Sequence, residues 1–262
     1  MSTQVVGAKD GSLVLYENVG PTSVPDFGPR GGFISPVAAV ESSGNGAPAF
    51  ADIDGDGDED LILGATDGGL VFYENVGDAG KPLFERKDLL DGLTVGEDST
   101  PALVDVGDGA LGLVVGNSDG TLVYYRNAGS TGFERVEGAD DPFAGIDVGE
   151  NSAPHFADLD DDGLPDLVVG AYDGRLSYFR NAGSLGAPAF VNTTANPFAN
   201  VSVGYYSAPA LADVDGDDDL DLFVGERGGA LIYYENTGSA AAPRFVKRTG
   251  SENWLDGIDV GD

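Results

Sequence analysis

The chain has 262 residues, no cysteine, and a formal net charge of −32 from 45 acidic and 13 basic residues. This balance leaves no basic footprint for nucleic acid and disfavours binding to anionic membrane surfaces. The absence of cysteine excludes disulfide bonds. Such acidity suits a medium rich in salt or calcium, and solubility alone is the alternative explanation.

The amino terminus, MSTQVVGAKDG, lacks the basic and apolar segments of a secretory signal. No stretch of the sequence approaches the roughly 20 apolar residues of a membrane span, so we predict no membrane insertion. Glycine accounts for 41 residues, while 41% of the chain is hydrophobic. That combination favours many short strands joined by turns.

The chain opens on a partial repeat, VVGAKDGSLVLYENVG at 5–20, and four fuller copies follow. In every copy, an apolar run ends at a glycine in the equivalent position. Successive glycines are roughly 55 residues apart, which is about the length of a propeller blade. These glycines are Gly7, Gly64, Gly116, Gly170 and Gly225. We predict one domain over 1–262, with repeats at approximately 1–46 (partial), 47–99, 100–151, 152–206 and 207–262.

Each copy predicts the same strands in the same order. Apolar runs such as 61–63 are too short for helices and read as buried strands. A tight turn follows at Asp67-Gly68, then an aromatic strand, then a last strand near Phe84 or Phe190. The sequence therefore predicts an all-β fold, a five-bladed β-propeller of four-stranded antiparallel blades, with a β-solenoid as the alternative.

One blade is predicted to be split between the termini and to lack a strand. Asp262 aligns with Glu150 and Met1 aligns with Leu164, so nothing in the split copy corresponds to 151–163. That stretch holds a first strand and an acidic loop. The gap can reflect a cut from a longer parent or completion by a neighbour, which would allow self-association through the incomplete blade.

Acidic loops follow the first strand in three copies, with aspartates at positions 1, 3, 5 and 9 of nine. They are Asp52, Asp54, Asp56 and Asp60; Asp158, Asp160, Asp162 and Asp166; and Asp213, Asp215, Asp217 and Asp221. Backbone carbonyls at position 7, of Asp58, Leu164 and Asp219, can add a ligand. Hard oxygen donors in this number suit Ca²⁺ better than Mg²⁺, so we predict three calcium sites, against solvated Asp-Gly turns as the alternative.

The corresponding loop at Asp105 departs from this pattern. It is one residue shorter, and Gly112 stands where the last aspartate is expected. Two carboxylates, from Asp105 and Asp108, are too few for such a site. We predict that this loop binds no metal.

The segments FADIDGDGDEDLILG and ALADVDGDDDLDLFVG resemble the FG-GAP or VCBS repeats of integrin-α-like propellers, which carry the pattern DxDxDGxxD. Asp218 replaces the usual glycine in the last copy. The resemblance implies structural calcium in the loop between the first two strands and a ligand on the opposite rim. It also implies an extracellular or cell-surface adhesion or binding module, and some fungal lectins share the architecture.

The rim opposite the acidic loops is predicted to consist of the turns after each second strand and the connections that lead into the next copy. Candidate ligand-binding residues there are Glu97, Asp98, Glu150, Asn151, Tyr205 and Tyr206. The tyrosine pair breaks the acidic trend of its position and could stack on a sugar or contact a protein. Packing of both tyrosines on a neighbouring blade is the alternative.

Three classes of function remain at this point. The first is a calcium-stabilised, non-catalytic binding or adhesion module for a glycan or a protein. A structural or assembly propeller and a carbohydrate-active enzyme are the alternatives. The single histidine, His155, stands where other copies carry alanine, so we interpret it as a strand residue near the central channel and not as a catalytic base.

Overall fold

The computed structural model describes residues 3–21, 25–29, 36–37, 40–78, 81–107, 109–129, 132–253, 255, 258 and 260. Within them the fold is all-β, with short 3₁₀ turns at Asp88–Leu90, Gly138–Asp140 and Gly250–Glu252 and no α-helix. None of the described segments is a helix of the length and apolar character that crossing a membrane requires.

Nineteen strands form five antiparallel sheets, the blades, in chain order. Blade 1 holds β1 (Thr3–Gly7), β2 (Leu13–Asn18) and β3 (Phe27–Pro29). Blade 2 holds β4 (Ala47–Ala51), β5 (Asp60–Gly64), β6 (Leu70–Asn75) and β7 (Phe84–Lys87). Blade 3 holds β8 (Thr100–Asp105), β9 (Leu111–Gly116), β10 (Leu122–Asn127) and β11 (Phe133–Val136). Blade 4 holds β12 (Ala153–Ala157), β13 (Asp166–Gly170), β14 (Leu176–Asn181) and β15 (Phe190–Asn192). Blade 5 holds β16 (Ala208–Ala212), β17 (Asp221–Gly225), β18 (Leu231–Asn236) and β19 (Phe245–Lys247).

The predicted five-bladed propeller is confirmed. Four blades are four-stranded meanders, and blade 1 has three strands. By register, β1 corresponds to β5, because Gly7 pairs with Leu13 as Gly64 pairs with Leu70. Among the described residues, the blade at the amino terminus therefore shows no counterpart of the first strand, in agreement with the repeat alignment.

The core is divided among the five junctions between consecutive blades, which we call seams. Each seam holds one hydrophobic cluster among the described residues. The second strands supply the most buried side chains, and Leu167, Val168 and Val169 of β13 are fully buried. Both faces of a blade are covered, because each blade packs against two neighbours. This explains why these strands are continuously apolar and not alternating.

A backbone crossing recurs at four of the five seams. The segment that leads into the first strand of one blade passes over the glycine that ends the second strand of the preceding blade. A Cβ atom on that glycine would overlap a carbonyl oxygen; the glycine–carbonyl pairs are Gly7 with Gly46, Gly64 with Ser99, Gly116 with Ser152 and Gly170 with Ser207. Glycine is therefore required here by the close approach of two backbones.

Three of these crossings carry a buried serine. Ser207 Oγ accepts a hydrogen bond from the Ala171 N–H at 2.9 Å and donates to the Arg175 carbonyl at 2.9 Å. Ser99 and Ser152 make the equivalent bonds to blades 2 and 3. The serines thus satisfy backbone groups that the seams bury.

The carboxyl-terminal segment closes the ring at the seam between blades 5 and 1. Leu255 is buried in one cluster with Tyr16 and Phe27 of blade 1, and Ile258 and Val260 pack beside it. Val260 N–H also donates to the Gly229 carbonyl at 3.1 Å. The fifth seam is therefore sealed by side chains from both ends of the chain.

Candidate functional site

The three acidic loops join the first and second strands of blades 2, 4 and 5. In each loop, one carboxylate oxygen from each of three aspartates lies within 4.8 Å of the others; the triads are Asp52, Asp54 and Asp60; Asp158, Asp160 and Asp162; and Asp213, Asp215 and Asp217. Oxygens bound to one Ca²⁺ at 2.3–2.6 Å are separated by about this distance or less. The described part of the chain thus contains three acidic clusters that could hold a metal ion.

The aspartate at position 1 folds each loop. Asp52 accepts hydrogen bonds from the Gly55 and Gly57 N–H groups at 2.7 and 3.0 Å. Asp158 and Asp213 accept equivalent bonds from Gly163 and Gly216, each at 2.8 Å. The same hydrogen bond forms at position 7 of every loop. Its backbone N–H donates to the carboxylate at position 5, from Asp58, Leu164 and Asp219 in turn. These Asx turns aim the carboxylates inward.

The aspartate at position 9 is buried and ties the loop to the third strand. Asp166 Oδ1 accepts a hydrogen bond from the Asn181 N–H at 2.7 Å, and Asp166 Oδ2 accepts one from the Tyr178 hydroxyl at 2.6 Å. Asp60 and Asp221 accept the matching bonds from Asn75 and Asn236, each at 2.8 Å. These contacts give position 9 a structural role beside its predicted role as a ligand.

Several buried carboxylate oxygens in these loops accept no hydrogen bond. Within the described part of the chain, Oδ1 of Asp160, Asp215 and Asp219 is buried without a hydrogen bond. Asp219 is only 9% exposed. Burial raises its pKa to about 6, and the charges of Asp217 and Asp215 add to the shift. Burial likewise raises the pKa of Asp221 to about 7. Orphaned acceptors in a crowded anionic pocket fit a hard cation.

The loop of blade 4 carries its own counter-ion. Arg180 Nη2 donates to Asp162 Oδ2 at 2.9 Å, and Arg180 Nε donates to Asp160 Oδ2. The equivalent residues of blades 2 and 5 are Glu74 and Glu235. The three acidic loops therefore differ in charge even though their aspartates share one spacing.

The Asp105 loop of blade 3 is held by a neighbour. The Val106 carbonyl accepts a hydrogen bond from the Gly186 N–H of blade 4 at 2.8 Å. Asp105 accepts bonds from Gly107 and Gly109 at 2.6 and 3.2 Å. Asp108, the other carboxylate considered for this loop, lies outside the described residues. The absence of metal here stays a prediction.

The opposite rim carries a tyrosine cluster. Tyr172 follows β13, and its ring centroid lies 5.3 Å from that of Tyr205 and 4.9 Å from that of Tyr206. The Arg227 guanidinium carbon lies 5.6 Å from the centre of the Tyr206 ring. Tyr205 is 54% exposed. Because β13 spans about 17 Å at ordinary strand rise, this cluster and the Asp158 loop occupy opposite rims.

Tyr206 adopts an unusual backbone conformation, with φ of +58°. The same position in the other connections holds Asn45, Asp98 and Asn151, which also have positive φ. Asparagine and aspartate tolerate this region, whereas a bulky aromatic residue there is an outlier. Strain of this kind concentrates at functional sites, which makes the cluster the main candidate ligand surface.

The remaining rim candidates lie at other seams. Asp98 accepts a hydrogen bond from Asn45 Nδ2 at 2.8 Å, next to Glu97 at the seam between blades 2 and 3. Glu150 and Asn151 lie at the next seam, and the Glu150 carbonyl accepts the Tyr172 N–H at 2.7 Å. Of these candidates, Glu150 contacts the tyrosine cluster through its backbone carbonyl. Sequence reasoning missed Tyr172 and Arg227, although Tyr172 stands where Thr66 and Ser118 occur in other copies.

His155 lies on β12, where Nε2 accepts a hydrogen bond from the Leu211 N–H of blade 5 at 3.1 Å. Its surroundings lower the pKa to about 4 by desolvation of the charged form, and the bond to Leu211 opposes this only in part. The interpretation of His155 as a strand residue is confirmed by its pairing with Val168. The neutral imidazole joins two blades.

We expect the His155 imidazole to remain neutral down to about pH 5. Because the pKa in the folded state is below the ordinary 6.5, the stability it contributes is complete above pH 6.5 and is lost as pH falls towards 4, by up to about 1.4 kcal/mol per pH unit. Since His155 is the only histidine, NMR of its Cε1 proton follows the titration directly. The urea-unfolded chain, titrating near 6.5, is the control, and a native inflection there would contradict the prediction.

Residues 158–224 match the family model for the FG-GAP-like repeat. The match begins at the first aspartate of the blade 4 loop and ends one residue before Gly225, so it includes two of the three acidic loops. No curated protein matches the chain.

Several solved structures are similar to this chain. A thermostable family-43 glycoside hydrolase shares 12% identity over 78% of this chain and 72% of its own, with a TM-score of 0.48. A lectin of Agrocybe aegerita that recognises non-reducing terminal N-acetylglucosamine shares 19% identity over 93% and 60%, with a TM-score of 0.46. Sqt1 of Saccharomyces cerevisiae shares 13% identity over 99% and 61%, with a TM-score of 0.42.

Proposed function

The chain carries an FG-GAP-like repeat within a five-bladed propeller, and from that premise we propose that it is a non-catalytic, calcium-stabilised module that binds a glycan on the rim opposite its acidic loops. The observation that carries the proposal is the exposed cluster of Tyr172, Tyr205 and Tyr206, with Tyr206 held at positive φ.

The cluster offers the chemistry that sugars need. Aromatic faces stack on the C–H faces of pyranose rings, while nearby charged groups bond to hydroxyls. The exposed Arg227 side chain lies beside the Tyr206 ring, and the exposed residue Glu150 bonds to Tyr172 through its backbone carbonyl. A site with both acidic and basic groups favours a neutral ligand with many hydroxyls over a polyanion. Among the proposed ligand classes, a glycan fits this better than a protein.

Calcium would be held by the three loops that already converge their carboxylates. The ligands proposed are positions 1, 3, 5 and 9, with the position 7 carbonyl, and the orphaned oxygens of Asp160, Asp215 and Asp219 support them. When bound, the ion supplies positive charge that screens the aspartates and fixes the loops. The setting proposed is extracellular or cell-surface, where Ca²⁺ reaches the concentrations that exposed sites require.

Catalysis is not part of the proposal. The single histidine is engaged as a hydrogen-bond acceptor between two blades. Pairs of neighbouring carboxylates are expected by chance in a chain with 45 acidic residues, so they do not favour a glycosidase. A hydrolase would still be revealed by turnover of any glycan that the protein binds.

The decisive experiment is a glycan array followed by titration of the best ligand in the presence of Ca²⁺. We expect Tyr205→Ala to weaken binding by about fivefold or more, because stacking of one exposed ring contributes about 1 kcal/mol or more. Leu83→Ala is the matched control, since Leu83 is 58% exposed on a hairpin at the other rim. An array without ligands, or equal affinity for both variants, would refute the proposal.

The blade 4 loop is expected to bind Ca²⁺ more weakly than the other two, because Arg180 already neutralises Asp160 and Asp162. Arg180→Gln removes this competing cation, so the affinity of that loop should rise about tenfold or more. Isothermal titration with Ca²⁺ would then change from two classes of site to one. Arg126→Gln, at the equivalent position of blade 3, is the control and should leave the isotherm unchanged.

A further inference from the structure

The acidic loop of blade 5 differs from the other two at position 6, where Asp218 replaces Gly57 and Gly163. Asp218 has the left-handed backbone that these glycines also have, with φ of +69°. Its N–H donates to Asp213 at 3.3 Å, whereas the matching bonds from the glycines of blades 2 and 4 are 3.0 and 2.8 Å. The loop of blade 5 therefore closes less tightly on its first aspartate.

The side chain at position 7 is the second difference. Asp219 is buried, whereas its counterparts Asp58 and Leu164 are partly exposed. Among the described residues, no donor bonds to Asp219 Oδ1. A buried carboxylate oxygen costs free energy unless a donor or a cation contacts it. The buried Asp219 side chain therefore points to a partner that the alignment of the repeats does not suggest.

The surroundings of Asp219 are strongly anionic. The charges of Asp217, Asp215 and Asp213 act on its carboxylate, which lies within hydrogen-bonding reach of the Asp217 carboxylate. Asp215 Oδ1 is likewise buried without a hydrogen bond from the described part of the chain. Two carboxylates in contact have to share a proton or a cation. With a third acidic group beside them, a cation neutralises the cluster more completely than one proton does.

We propose that the Asp219 side chain is a direct Ca²⁺ ligand in the loop of blade 5. This inference rests on the proposed calcium sites and goes beyond their shared ligand set, in which position 7 supplies only its backbone carbonyl. Asp213 and Asp217 of the triad are exposed, so Asp219 adds its carboxylate from the buried side of the cluster. Five aspartates then serve this loop, a number within the six to eight oxygen ligands that Ca²⁺ accepts.

The extra carboxylate has opposite effects on the two states of the loop. Without an ion, the aspartates repel one another, and Asp219 destabilises the fold. With Ca²⁺ bound, its attraction to the ion outweighs this repulsion. Asp219→Asn keeps the shape of the side chain and removes its charge. We therefore expect this variant to unfold at a higher temperature than the unmodified chain in chelator and at a lower temperature in Ca²⁺.

Calorimetry of the full chain measures both effects. Differential scanning in matched Ca²⁺ and chelator samples gives the two midpoints, and isothermal titration gives the affinities. Asp219→Asn should weaken Ca²⁺ binding to the blade 5 loop by about tenfold or more, so that the tighter class of sites falls from two ions to one. Asp58→Asn is the matched control. It makes the same substitution at position 7 of blade 2, where the side chain is partly exposed, and should leave the isotherm unchanged.

The outcomes separate this inference from the calcium proposal on which it rests. If the unmodified chain binds no Ca²⁺, both fail together. If the unmodified chain binds Ca²⁺ and Asp219→Asn keeps two ions in the tighter class, only the role of Asp219 is refuted. An equal rise of the midpoint with and without Ca²⁺ would also overturn the inference, because a proton shared with Asp217 would then neutralise the pair.

Discussion

Removing Ca²⁺ with a chelator at pH 7.5 is expected to lower the thermal unfolding midpoint by about 15–30 °C. Each ion bound only to the folded state adds about 2.7 kcal/mol when free Ca²⁺ is one hundred times Kd. Three such ions add about 8 kcal/mol, and each kcal/mol shifts the midpoint of a chain of this size by about 2–4 °C. Differential scanning calorimetry with matched Ca²⁺ and chelator samples measures the difference.

Two controls test whether the loss of stability comes from Ca²⁺ bound at the acidic loops. Mg²⁺ in excess should restore little of the lost stability, because it prefers strict octahedral geometry and retains its water. A double variant, Asp213→Asn with Asp215→Asn, should lose about one third of the Ca²⁺ effect because it disables one loop of three. If chelator leaves the midpoint unchanged, the aspartates are solvated turns and the calcium proposal fails.

Gly170→Ala is expected to destabilise the protein by about 3 kcal/mol or more. The added methyl group would overlap the Ser207 carbonyl, which belongs to the backbone and cannot rotate away as a side chain could. The seam between blades 4 and 5 must therefore open, and the Ser207 bonds to Ala171 and Arg175 are strained with it. Urea unfolding gives the change in the free energy of unfolding.

Gly225→Ala provides the comparison, because it makes the same substitution at the equivalent residue of the next blade. With 3.7 Å to the nearest atom, it should change the stability of the free chain by less than about 0.5 kcal/mol. The two variants therefore separate the effect of the crossing from that of glycine itself. Equal losses of stability would show that strand glycines matter here for some reason other than close approach.

The sequence predicts the strands well because their signals are local. The run 167–169 is bounded by turn residues, and it forms the centre of β13 with all three side chains buried. The repeated glycine marks the register equally well. The reason for this glycine is not local, however. Gly170 makes room for the backbone carbonyl of Ser207, a residue that is distant in sequence. Such a contact becomes visible only when the next blade is in place.

The same limit applies to the candidate sites. The spacing of Asp158, Asp160 and Asp162 brings their oxygens together within one loop, so sequence alone predicts that cluster. Arg180 reaches the loop from a different strand, and the pairing of β13 with β14 determines its position. Tyr172 approaches Tyr205 and Tyr206 through a contact between two separate turns. Both contacts lie within the repeat at 152–206, but each joins segments that are distant in sequence, so residue spacing alone does not predict them.

The division of the core into five seam clusters implies that the ring does not open equally at every point. Four seams combine a hydrophobic cluster with a backbone crossing, whereas the described residues of the fifth show the cluster and the bond from Val260 to Gly229 but no crossing. Local unfolding begins where the fewest interactions must break. Amide hydrogen exchange should therefore be fastest in β1 to β3 and in β16 to β19, and slowest in β9, whose blade lies farthest around the ring from the fifth seam. The molecule would open as an arc from its two ends, in the manner of a linear repeat array.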